Sequence, residues 1–85
     1  GFCPKGEGAR LVEERSTWIG GTLPVNPGGG LLARGHPLGA TGLAQMAEVV
    51  TQIRGEARGR QVDDATIGLT YNAGVMSACV TILGR

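Results

Sequence analysis

The sequence predicts an α/β fold: a mixed sheet, one long helix over about residues 37–54, and a terminal antiparallel hairpin with strands at about 66–71 and 77–83. Three observations lead there. Leu43, Met46, Ala47, Val50 and Ile53 recur at three and four residues and so share one helix face. Thr66–Tyr71 alternates, and Ser77–Leu83 is a β-branched, apolar run of the kind that forms a buried strand. Between them, Asn72–Met76 includes a glycine, which reads as the connection of a hairpin.

Taken in order, Gly1–Gly8 reads as a loop, with three glycines and Pro4. Ala9–Glu14 is expected to form a short strand, and Arg15–Thr17 a polar turn. Gly20-Gly21 breaks whatever precedes it. Thr22–Val25 is extended, held so by Pro24, and Asn26-Pro27 starts a turn into Gly28-Gly29-Gly30. The helix is expected to open at Pro37, a residue suited to the first helical position. Thr41, Gln45, Glu48 and Gln52 repeat along a second, polar face. Gly39, Ala40 and Gly42 keep the first turns thin at a cost of about 1 kcal/mol per glycine relative to alanine. Close packing of another element there would offset it. Gly55 is expected to end the helix. Glu56–Asp64 mixes both charge signs and reads as a solvated connection.

Composition excludes several classes of function. A net charge of +1 gives no electrostatic case for nucleic acid or an anionic membrane. Aromatic residues, at 4%, are too few for base-stacking platforms. No run reaches the roughly 18 apolar residues of a membrane span. Cys3 and Cys79 lack metal-ligand spacing, so no metal is expected and the cytoplasm is the default location. Cys79 reads as a small buried hydrophobe. The chain is short for a self-sufficient core and opens on Gly1, which reads as a piece of a longer chain or one half of a split protein.

The chemistry concentrates in Asn26–Gly42, a glycine-dense run that holds the only histidine. A residue before proline is pushed out of the α region, so His36 is expected at the helix N-cap, extended. A helix N-terminus disfavours a cation, which favours the neutral imidazole that a general base requires. The plain alternative is a polar residue beside a cap. Gly30–Pro37 has the spacing of a phosphate-binding loop, but His36 and Pro37 stand where lysine and a hydroxyl are required. The glycine spacing fails the dinucleotide fingerprint, and Ser16 and Ser77 sit in no nucleophile elbow. Glu13/Glu14 and Asp63/Asp64 are paired carboxylates in hydrophilic segments.

Gly35-His-Pro-Leu-Gly-Ala-Thr-Gly42 resembles the C-terminal end of the thiolase superfamily. Gly1-Phe-Cys-Pro-Lys-Gly-Glu-Gly8, Val25-Asn-Pro-Gly-Gly-Gly-Leu-Leu32, Gly42-Leu-Ala-Gln45, Arg54-Gly-Glu-Ala57 and Arg60-Gln-Val62 follow the same resemblance in order. They are most similar to the sterol carrier protein X thiolases and the bacterial lipid-transfer-protein acyltransferases. The resemblance implies that residues 1–85 are a C-terminal segment, incomplete without an N-terminal half or a partner chain. It implies that His36 activates a nucleophilic cysteine supplied by another segment and helps hold the thioester oxygen. Gly74 would donate its N–H to an oxyanion. Asn72 stands where thiolases generally carry a second acid/base cysteine, and asparagine cannot shuttle a proton at neutral pH. In the sterol carrier protein X branch that cysteine comes from an upstream segment. Asn26, Gly29 and Gly35 are assigned to the active-site loop.

The function implied is that of a 3-oxoacyl-CoA thiolase-type acyltransferase of lipid metabolism. It forms or cleaves a carbon–carbon bond through an acyl-cysteine. The coenzyme A thioester is the substrate, no cofactor is needed, and the full protein is expected to be a homo-oligomer. Two alternatives are a non-catalytic acyl-CoA or lipid-transfer protein of thiolase fold, and a steroid side-chain retro-aldolase subunit.

Overall fold

A computed structural model describes all of residues 1–85. In chain order the elements are α1 (Gly8–Glu13), α2 (Gly30–Arg34), α3 (Thr41–Ile53), β1 (Ile67–Ala73) and β2 (Ala78–Gly84). The α/β class and the antiparallel hairpin agree with the sequence reading. The expected mixed sheet is not found: the sheet consists of this antiparallel hairpin alone, with Ile67 opposite Gly84 and Ala73 opposite Ala78, because no other segment of these residues forms a strand. Both strands start one residue inside their expected limits; β1 ends two residues past its limit and β2 one. Asn72 is therefore a strand residue paired with Cys79 rather than part of the turn.

Two further expectations are corrected. Ala9–Glu14 is not a strand: residues 8–13 form α1. Ala-Arg-Leu-Val-Glu-Glu lacks two-residue alternation, and Arg10 closes a turn onto Glu14 through an i,i+4 ion pair of 2.8 Å. The stretch leading to His36 is not all loop, because Leu31-Leu32-Ala33-Arg34 are good helix formers and build the single turn α2. Its flanks, Gly29 and Gly35, have φ of 88° and 80°, which a side chain would strain.

The long helix begins later than Pro37. The Pro37 carbonyl accepts the N–H groups of both Ala40 and Thr41, at 2.9 and 3.0 Å, forming a turn ahead of the regular helix. Ala40, at φ −121°, is the N-cap. The C-terminus is as expected. Gly55 adopts φ 72°, its N–H reaches Gln52 O at 3.1 Å, and the Glu56 N–H reaches Thr51 O at 3.0 Å. That pair of bonds is a Schellman closure.

Packing inverts the expected polarity of α3. Thr41 and Gln52 are buried, whereas Leu43 and Val50 on the apolar stripe are 71% and 41% exposed. The elements that cover α3 within this chain present backbone amides and carbonyls, so its polar side chains face them. Gln45 Nε2 donates to Tyr71 O at 3.1 Å, tying α3 to β1. Gly68 lets β1 approach closely, since a Cβ there would collide with Val49. The connection 56–62 is not a free loop. Gln52 Nε2 donates to Arg60 O at 2.8 Å, and the Val62 N–H donates to Gln52 Oε1 at 2.8 Å. Arg60 forks onto Glu48 through Nε and Nη2, at 3.0 and 2.9 Å.

The β2 strand is not the buried strand expected, and Cys79 is exposed. Only Thr41, Gln52, Ala57 and Thr70 are buried in the whole chain, so most of the apolar surface waits for a layer that these residues do not supply.

Candidate active site

The head of α3 is where the candidate residues meet. His36 lies five residues before Thr41, on the segment that leaves α2 through Gly35. It is not the N-cap, so the helix end that was expected to favour its neutral form lies a turn further on. A side-chain contact holds the ring instead. Nδ1 of His36 and Oγ1 of Thr41 are 2.9 Å apart, and the same hydroxyl lies 3.2 Å from Pro37 O. Thr41 is only 2% exposed, so the hydroxyl end of this contact is shielded from water, whereas His36 itself is exposed.

The hairpin brings Asn72 to the same place. Residues paired across the strands share a face, so Gly68, Thr70 and Asn72 face the helix side together with Cys79, Thr81 and Leu83. A Cβ on Gly42, the residue after Thr41, would lie 3.0 Å from Asn72 Nδ2. The glycine at 42 thus has a cause in the fold, since the Asn72 amide occupies the space, whereas a Cβ at Gly39 would meet nothing within 4 Å. Asn72 has ordinary strand geometry, with no positive φ.

Gly74 is differently placed. It follows β1, and its N–H donates to Ser77 O at 2.6 Å across the connection. In this arrangement that donor is already engaged, and an oxyanion would have to share it or displace Ser77 O. Asn26 and Gly29 sit elsewhere again. Asn26 has φ 49°, its carbonyl accepts the Gly29 N–H at 2.8 Å, and both residues line an open hollow of about 530 Å³ with Thr17, Trp18, Ile19 and Val25. His36, Asn72 and Gly74 do not line that hollow. The loop reaches α3 at Gly28, where a Cβ would lie 3.3 Å from the Glu48 carboxylate. The structure therefore gathers His36, Thr41, Gly42 and Asn72, with Gly35 at the end of α2 immediately before them.

The Glu48 carboxylate is held below the usual range. The hydrogen bond from Arg60 is the main cause, opposed by partial burial and reinforced by the bond from Gln52 and the charges of Arg60 and Arg34. No three His, Cys, Asp or Glu side chains converge on a point where a metal would bind. Sequence reasoning counted Thr41 only as a member of the polar face of α3. Its signal was its place five residues after the histidine, at a β-branched, hydroxyl-bearing position among small residues.

This geometry is accompanied by clear kinship. The family model described as "Thiolase C-terminal domain-like" matches residues 1–85, and the chain belongs to that family. It is 65% identical over 74 residues to the "Acetyl-CoA acetyltransferase" of Methanothermobacter thermautotrophicus, covering 87% of this chain and 19% of that protein. It is 52% identical over 83 residues to "Sterol carrier protein 2" of Homo sapiens, covering 98% of this chain and 15% of that one. The "Benzoylsuccinyl-CoA thiolase subunit BbsB" of Thauera aromatica is 41% identical over 75 residues, covering 87% and 20%. The chain thus spans about a fifth or less of the length of these relatives.

Proposed function

We propose that this chain is the C-terminal part of a thiolase-type acyl-CoA acyltransferase of lipid metabolism, and that His36 is its activating base. The observation that carries the reading is the restrained His36 ring at the head of α3, one residue from the helix position that Asn72 touches. Thiolysis requires a thiolate to attack a thioester or 3-oxoacyl carbonyl, and a thiol at its ordinary pKa needs a base within reach. His36 supplies that base or, once protonated, a donor to the developing oxyanion. The nucleophilic cysteine and the second acid/base belong to another segment, since Asn72 cannot carry a proton. The substrate is a coenzyme A thioester, no cofactor takes part, and the working unit is an oligomer in the cytoplasm. No helix here is long and apolar enough to cross a membrane.

Incubating the complete protein with a 3-oxoacyl-CoA and coenzyme A tests this. Acetyl-CoA release is expected, and His36→Ala should lower turnover by about two to four orders of magnitude without unfolding the protein. A folded His36→Ala variant with full turnover would return His36 to a plain structural role. A second reading, a non-catalytic acyl-CoA or lipid carrier, draws on the absence of a cysteine at Asn72 and on the names of relatives such as "Non-specific lipid-transfer protein-like 2" of Caenorhabditis elegans. It predicts tight acyl-CoA binding with no product. Aldehyde or ketone release from a 3-hydroxyacyl-CoA would instead identify the retro-aldolase activity.

A further inference from the structure

We propose that Thr41 is a positioning residue that sets the tautomer of His36, so that Nδ1 carries the hydrogen and Nε2 presents its lone pair to the incoming proton. The inference rests on reading His36 as the base, and it adds the residue that makes one ring nitrogen competent.

A threonine hydroxyl has one proton to donate and two lone pairs to accept with. Thr41 Oγ1 lies 3.2 Å from Pro37 O, the carbonyl that also accepts the Thr41 N–H at 3.0 Å. This is the back-bonding that Thr adopts in a helical turn, where the hydroxyl shares the i−4 carbonyl with the residue's own amide. With its proton turned to Pro37 O, Oγ1 offers only lone pairs to the imidazole 2.9 Å away. A bare Nδ1 would then face a bare oxygen. Nδ1 must carry the hydrogen, and in the neutral ring Nε2 is left unprotonated. Burial of Thr41 keeps water from competing for the hydroxyl, and a β-branched side chain has few rotamers through which to swing it away.

The same contact serves the charged state. When a thiol yields its proton to Nε2, the S–H bond breaks, the sulfur keeps the electron pair, and an N–H bond forms. The ring becomes imidazolium, and its Nδ1–H bond to Oγ1 becomes charge-assisted and stronger. The opposite arrangement, with the hydroxyl proton on Nδ1, would leave Nε2–H, a donor that cannot take a proton.

Nitrogen-15 NMR of the complete protein, labelled at histidine, reads the tautomer directly. The His36 signals are assigned by their loss in His36→Gln. At alkaline pH the wild type should show a protonated-type Nδ1 and an unprotonated-type Nε2. Thr41→Val should lose that preference and lower kcat roughly 10- to 100-fold with little change in KM, the rate equivalent of one hydrogen bond to a charged group. Thr41→Ser should restore the tautomer and most of the turnover. A wild-type His36 protonated at Nε2, or a tautomer that Thr41→Val leaves unchanged, overturns the proposal. If Thr41→Val does not fold, the wild-type and Thr41→Ser spectra still decide. A folded His36→Ala variant with full turnover would overturn the base assignment itself, and it is scored without reference to the spectrum.

Discussion

Gln52 shows how much of this chain's order rests on single polar side chains. It is 7% exposed, and its amide group uses both ends: Nε2 holds Arg60 O and Glu48 Oε1, and Oε1 holds the Val62 N–H. Gln61 reciprocates, donating to Gln52 O at 2.9 Å and accepting the Ala57 N–H at 3.0 Å. Arg54-Gly-Glu-Ala and Arg60-Gln-Val are therefore two halves of one latch across the end of α3. Gln52→Ala should cost about 1–3 kcal/mol, the penalty for leaving the Val62 N–H and the Arg60 carbonyl without partners. The specific readout is hydrogen exchange. The Val62 amide should lose protection while the β1 and β2 amides keep theirs, and uniform loss along the chain would show that the latch is not a local device.

Glu48 adds a pH dependence whose sign is defined. Its folded pKa lies below its ordinary value of 4.5, chiefly because of the Arg60 bond. The contribution is therefore fully present above pH 4.5 and is lost as pH falls through the lower, folded value. Glu48→Gln should flatten the acid limb of the stability curve and leave the region near pH 7 with a smaller change in slope. An unchanged acid limb in thermal melts between pH 3 and 6, a window of roughly that range, would show that another carboxylate governs it.

Among the elements, the contact between α3 and β1 has the least tolerance. Gly68 sits at mid-contact beneath Val49, and Gln45 ties the helix to the far end of the same strand. Adding a methyl at Gly68 forces the helix and strand apart, because the Val49 side chain branches at Cβ and has little room to rotate. Gly68→Ala should destabilise the complete protein by about 1–3 kcal/mol. Because Asn72 lies on the same strand, it should also lower turnover by moving Asn72 away from Gly42. Pairing Gly68→Ala with Val49→Ala tests the cause: recovery of the melting temperature identifies the collision, and additive loss would place it elsewhere. The His36 segment is positioned by elements on both sides, α2 ending at Gly35 and α3 beginning at Thr41. Both boundaries are set by small residues.

For the molecule as a whole, the outer face of the hairpin stands out. Ile67, Leu69, Tyr71, Val80 and Ile82 are 73%, 43%, 59%, 58% and 67% exposed, and Leu43 and Val50 extend apolar surface along α3. An antiparallel pair with one apolar face uncovered is marginal in water by itself. Expressed alone, the 85-residue chain should bind a hydrophobic dye and associate in sedimentation. A monomer with a cooperative urea transition and stability near 5–15 kcal/mol would count against this.

The sequence by itself determined the α/β class, the hairpin, the Gly55 stop and kinship through the Gly-His-Pro run, because each is written in local spacing or local backbone chemistry. Asn26–Gly42 was legible as the place to look, since glycine density and a single histidine are visible without coordinates. What the tertiary structure alone decided is which groups face one another. The polar stripe of α3 turned inward because the elements packed on it offer amides and carbonyls, a fact about partners distant in sequence. His36 moved off the cap because Pro37 O took two amides and closed a separate turn. Thr41 became part of the site for the same reason: its hydroxyl reaches the imidazole only once that turn has folded back, and no spacing rule records where a hydroxyl proton points.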